Sequence, residues 1–335
     1  MKRIGTWIAL VAILTTTAAQ AAGWDDIVAA AKREGKVSLY TVNGGSACYN
    51  QNLAAFKAET GIDVQVLSGR GTELQERITT EQTTSHYIAD VSWNGPSIVY
   101  AQAHDGAADK LGPIPNLANL LPGISHDDWS VPVLVDRQGI LINSDAIKPE
   151  TDLKSWNDLL GPKFKGQIIA DDMRVAGQGG TFFSITYRQL GRAFHEGLAK
   201  QDLAFSRDVS VNIQRVAQKD HEVYIPLAGQ YFAQANGLPV RLWVPQEGAP
   251  FYTDGLQVLS HAPHPNAARV LINYLLDPRT QAVCAVAGIG PSVKNVQADI
   301  PPMFRDLLNS KLMGEDKLDP ASLAEVRAAA KEIYK

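Results

Sequence analysis

Cysteine is scarce in this chain: two residues, Cys48 and Cys284, in 335. No CxxC pair or nearby histidine completes a ligand set around either, which argues against a cysteine-based metal site. Lysine and arginine (31) do not outnumber aspartate and glutamate (35), and no basic block occurs, so nothing suggests a nucleic-acid partner. Phosphate-binding signatures are missing. There is no G-x-x-x-x-G-K-[ST] and no G-x-G-x-x-G ahead of a helix, and "SGRGTE" resembles the latter only superficially. No G-x-S-x-G elbow is present. After the first two dozen residues no apolar run is long enough to cross a bilayer.

What is present begins with an address. Lys2 and Arg3 precede the apolar run "IGTWIALVAIL", and "TTTAAQAA" then offers Ala19-Gln20-Ala21 as an A-x-A cleavage pattern. Residues 1–21 are therefore expected to be a secretory signal peptide and the remaining chain to be exported. Export changes how the two cysteines read. They are equally well a disulfide, as an oxidising compartment allows, or two buried thiols.

The remainder has ordinary globular composition, 45% hydrophobic and 20% charged. Its pattern alternates. "KVSLYT", "IDVQVLSG" and "ADVSWN" read as strands, separated by helical segments "CYNQNLAAFKAETG" and "GTELQERITTEQ". The order βαβαβ implies parallel strands with right-handed crossovers. Thr72 is placed to cap the second of these helices, and Asp277-Pro278 is a strong helix start. Further on, "WSVPVLVDRQGILINSD" carries two apolar runs around a polar Asp136-Arg137-Gln138 centre. No low-complexity linker separates the halves. Two α/β lobes joined by more than one strand fit better than tandem domains, with residues 22–130 plus 255–335 in lobe one and 131–254 in lobe two.

In open α/β sheets ligands sit beyond the carboxyl ends of the strands, near helix N-termini. Four loops occupy that position: Asn43-Gly44-Gly45-Ser46, Ser68 to Thr72, Trp93 to Ser97, and Arg174 through Gly180 and Thr181. Each offers backbone N–H groups and a hydroxyl. Arg70 and Arg174 suit a carboxylate or phosphate, because a guanidinium makes two parallel hydrogen bonds. Alternative readings are tight turns with surface arginines, or a secreted hydrolase using Ser46 or Cys48. His261-x-x-His264, broken by Pro263, reads as a turn rather than a metal pair.

The segments "GKVSLYT", "FKAETGIDVQVL", "LQERITTEQTTSHYIADV", "EVYIPLAG" and "HPNAARVLINYLLDPRTQAVCAVAGIGPSV" together resemble the periplasmic solute-binding proteins of bacterial ABC importers, of the extracellular solute-binding protein family 1 kind. Within that kind the chain is nearest the ferric-ion-binding branch. The resemblance implies a two-lobed α/β fold of the periplasmic binding protein type II, a monomer closing on a solute, delivery to an inner-membrane permease, and no catalysis or cofactor. Ferric sites of that branch use a first-loop histidine, a glutamate after the third strand and two adjacent tyrosines. Here Gly44 and Gly95 stand at the first two places, and Tyr231 is followed by Phe232. The expected ligand is therefore a small organic anion held by Asn43, Gly44, Ser46, Arg70, Thr72 and Asn94 from lobe one and by Arg174, Gly180, Thr181 and Tyr231 from lobe two. A metal receptor built on Tyr231 is the rival.

Overall fold

The computed structural model describes residues 23–124, 126–315 and 319–335; the expected signal peptide lies outside the described residues. No helix among them is long and apolar enough to cross a membrane.

The first lobe is built as its alternation predicts. Strand Lys36–Thr41 is buried along all but its first residue and takes Asp63–Ser68 on one side and Val91–Asn94 on the other, both parallel. Gly255–Val258 and then Val131–Pro132 complete a five-stranded sheet in antiparallel pairing. The intervening helices stop where a left-handed residue is needed, at Gly35 (φ 69°) and Gly61 (φ 78°). The core of this lobe joins Val37, Leu39, Val91, Trp93 and Leu256 to Leu53, Phe56, Leu271 and Leu275 from the covering helices.

The second lobe centres on Leu134–Asn143, a ten-residue strand buried throughout. Successive side chains serve opposite faces. Ile140 and Ile142 pack with Trp156, Phe182 and Phe183, whereas Leu141 packs with Ile169, Tyr224 and Leu227. The chain crosses between sheets at Val133, running from Val131–Pro132 into Leu134–Asn143. It returns at Thr253–Asp254, between strands Ala249–Tyr252 and Gly255–Val258.

The C-terminal stretch departs from the assignment of 255–335 to lobe one. Helices Pro265–Leu275 and Pro278–Ala285 pack in the first lobe. Strand Leu312–Glu315, however, joins the second sheet beside Ala249–Tyr252. Helix Pro302–Leu308 and the last helix, Pro320–Ile333, also pack on the second lobe. The last helix is pinned by Tyr334, whose hydroxyl is 2.7 Å from His195 Nδ1 and whose carbonyl accepts from Arg174.

The two cysteines are bonded to each other. The bond ties helix Ala47–Thr60, immediately behind the first glycine loop, to Pro278–Ala285. Cys48 is therefore not a free nucleophile, and the hydrolase reading loses that candidate.

Candidate functional site

A cavity of about 330 Å³ opens between the lobes. It lies within the usual size range for small-ligand sites. Lobe one contributes Gly95, Pro96 and Ser97, at the start of helix Pro96–His104. Lobe two contributes the turn Ala176–Gln178, then Gly180, Thr181 and Tyr231. Tyr252 and Asp254 come from the return crossing, and Leu323 and Arg327 from the last helix.

Two carboxyl groups dominate this wall. Asp254 is 6% exposed. Its Oδ2 accepts from Asn43 Nδ2 at 2.9 Å, and its carbonyl accepts from Val133 N in the other crossing strand. Oδ1 accepts nothing from the described residues. Burial pushes this carboxyl above its ordinary value, and the Asn43 hydrogen bond holds it partly down.

Asp136 lies one layer deeper, opposite Tyr252 in the strand register and 1% exposed. The Tyr252 hydroxyl donates to its Oδ2 at 2.6 Å and accepts from Gln230 Nε2 at 3.0 Å. Oδ1 has no partner of hydrogen-bonding geometry. Burial pushes the Asp136 carboxyl up to about 7, with the Asp254 charge adding to the rise and the Tyr252 hydrogen bond opposing it. The Tyr231 and Tyr252 phenols are raised as well, first by desolvation and then by these carboxylates.

The expected site residues divide. Gly180, Thr181 and Tyr231 line the cavity. Asn43 acts one step back, by orienting Asp254. Arg70 points away: its side chain is 86% exposed, and its nearest charge is Glu73, at 3.8 Å. Arg174 is bound in a fork to Asp172, stacks on Phe205 and donates to the Tyr334 carbonyl, outside the cavity. Thr72 is exposed in the first turn of helix Gly71–Thr83 and does not cap it; Arg70 is the cap position, and its amide donates to Glu73. Asn94 is fully buried and donates to Ser92 Oγ.

Gly44 is required by packing rather than by a ligand: a Cβ there would fall 2.4 Å from Ser68 Oγ. Ser46 stands at the helix cap position 3.3 Å from Cys48 Sγ, away from the cavity lining. His264 is the turn residue its sequence context suggests, its Nδ1 2.9 Å from the buried Asp90 carboxylate.

Sequence reasoning missed Asp136, Asp254, Tyr252, Leu323 and Arg327. One signal was available. Asp136 sits with Arg137 and Gln138 in a strand buried on both faces, and charges in such a place need a purpose. A second cavity of about 170 Å³ adjoins the first at Pro96 and includes Asp127, Glu315 and Asp319. Those carboxylates make local hydrogen bonds, Asp127 and Glu315 through one oxygen each. Asp127 holds Trp129 N and both donors of Ser130. Asp319 caps the last helix, and Glu315 accepts from Thr253 Oγ1. Among the described residues, no three His, Cys, Asp or Glu side chains cluster to hold a metal ion.

Two α/β lobes are joined by crossing strands, and a partly open cavity lies between them. Residues 51–306 match the family model for bacterial extracellular solute-binding proteins, and the chain belongs to that family. It is 29% identical over 213 residues to the spermidine/putrescine-binding periplasmic protein of Salmonella typhimurium, a match covering 58% of this chain and 56% of that protein. The chain thus spans little more than half the length of that relative. The Escherichia coli protein of the same name is 24% identical over 318 residues, covering 88% of this chain and 86% of its own. In fold, the chain is similar to iron-bound HitA from Pseudomonas aeruginosa, with a TM-score of 0.70 at 21% identity, covering 89% and 99% of the two chains.

Proposed function

We propose that this chain is a periplasmic receptor that closes on a small organic amine and delivers it to an inner-membrane ABC permease. The observation that carries the reading is Asp254. It is a buried carboxylate on the cavity wall at a crossing strand, oriented through Oδ2 by Asn43, with Oδ1 left to a ligand. Asp136 adds negative potential beneath it. A charge taken from water is costly unless it is paired, and an ammonium ion supplies the pairing. The names of the Salmonella and Escherichia coli relatives, which describe polyamine binding, support an amine.

The anionic ligand expected from Arg70 and Arg174 loses its physical basis, because neither guanidinium lines the cavity. A ferric ion bound through Tyr231 has few partners, because Gly44, Gly95 and Phe232 stand where a histidine, a glutamate and a second tyrosine would be needed.

Asp254→Asn tests the reading, because it keeps shape and volume while removing the charge. Calorimetric titration with a panel of short primary amines should show binding to the native protein and at least a tenfold loss in the variant. The circular dichroism spectra of the two should coincide. Equal amine affinity in both proteins sinks the proposal. A purple charge-transfer colour on adding ferric ion would favour the metal reading instead.

A further inference from the structure

The cavity is not uniformly negative. Arg327 of helix Pro320–Ile333 is exposed and lines it, with no hydrogen bond or ion pair among the described residues. The first turn of helix Gln178–Leu190, with Gly180 and Thr181, lines the same cavity. The positive end of that helix is already met by the buried Asp171, which accepts from the Gly179 backbone N–H. Arg207, whose Nη2 donates to the Ala176 carbonyl, is balanced by the nearby Asp171 and Asp172 carboxylates and adds no free cation. Asp254 lines the same cavity, with the buried Asp136 carboxyl close enough to interact with it. One cavity therefore carries both a buried carboxylate from the return crossing, Asp254, and an unpaired guanidinium from the last helix, Arg327.

We propose that the ligand is a small zwitterion, a primary amine at one end and an acid group, carboxylate or phosphonate, at the other, and that Arg327 is the specificity-determining residue that binds the acid end. This rests on the amine reading above and narrows it. An unpaired guanidinium offers a planar fork to just such an acid group. The same charge repels the second ammonium of a diamine. The last helix is an appended element of the second lobe, pinned at its far end by Tyr334, so its specificity residue closes with that lobe.

The test uses matched pairs of probes that differ at one end only: straight-chain ω-amino acids and ω-aminoalkyl phosphonates against diamines of the same length. Affinities are measured by calorimetry on the full-length mature protein. The native protein should bind at least one acid-bearing amine tenfold or more tightly than its matched diamine. Arg327→Ala should abolish that preference while amine binding persists, and Arg327→Glu should invert it. A native preference for diamines, a preference unchanged in Arg327→Ala, or no binding of either class overturns the proposal. Asp254→Asn separates the two levels. If it leaves every affinity intact, the amine reading has failed; if it abolishes all binding while Arg327→Ala alters no preference, only the zwitterion assignment has failed.

Discussion

Asp136 is a carboxylic acid inside a strand with no exposed residue, and its environment sets its proton affinity. The unfolded chain gives up this proton near pH 4, whereas the folded, ligand-free protein keeps it until about 7. Between these values the native state binds more protons than the unfolded state. The contribution of Asp136 to stability therefore falls as pH rises through that window and is flat on either side. The full swing is on the order of 2–4 kcal/mol. Asp136→Asn mimics the protonated acid at every pH. Urea unfolding should find the variant gaining on the native protein by that amount between pH 4 and pH 8. Parallel stability profiles would show that Asp136 ionises freely in the fold. An amine ligand favours the charged carboxylates, so its affinity for the native protein should rise over the same range.

At the level of elements, much of the frame was legible because the signals are local. Apolar alternation marks "KVSLYT" and "IDVQVLSG", Gly35 and Gly61 end helices, and Asp277 caps its helix by accepting from Arg279 N. The failures are instructive in the same terms. Arg70 and Arg174 drew attention as free cations, yet their partners Glu73 and Asp172 lie three and two residues away and neutralise them locally. Asp254 was illegible because its significance comes from Asn43, 211 residues distant, and from a crossing that only the folded chain creates. The last helix was misassigned for a similar reason: its amphipathic pattern fits either lobe, and the choice is made by Tyr334 meeting His195.

The disulfide belongs to this scale too. It joins two helices across a separation of 236 residues and stands directly behind the loop that carries Asn43. Such a crosslink restricts the unfolded chain, and losing one typically costs about 2–5 kcal/mol. The double variant Cys48→Ala/Cys284→Ala should melt at a lower temperature than the native protein. Added reductant should lower the native melting point and leave the variant unmoved. Equal melting in both would mean the helices are held by packing alone, through contacts such as Asn52 Nδ2 to the Thr280 carbonyl at 3.0 Å.

For the whole molecule, the arrangement of charge and crossings implies motion. Asp254 and Val133 lie on the two crossing segments and are bonded to each other, so a rotation of one lobe pivots close to the carboxylate that receives the ligand. Ser97 on one side and Thr181 and Arg327 on the other belong to different lobes and line the same cavity. A ligand that engages both walls favours the closed arrangement by its differential affinity for that state. Small-angle scattering reads this directly. A compact chain of this length has a radius of gyration of roughly 20 Å, and saturating ligand should reduce it by a few per cent. Arg327→Ala should weaken the contraction, because one wall then loses its grip while Asp254 still binds the amine. Calorimetric saturation of the native protein with superimposable scattering curves would rule out hinge closure and leave a rigid cleft receptor.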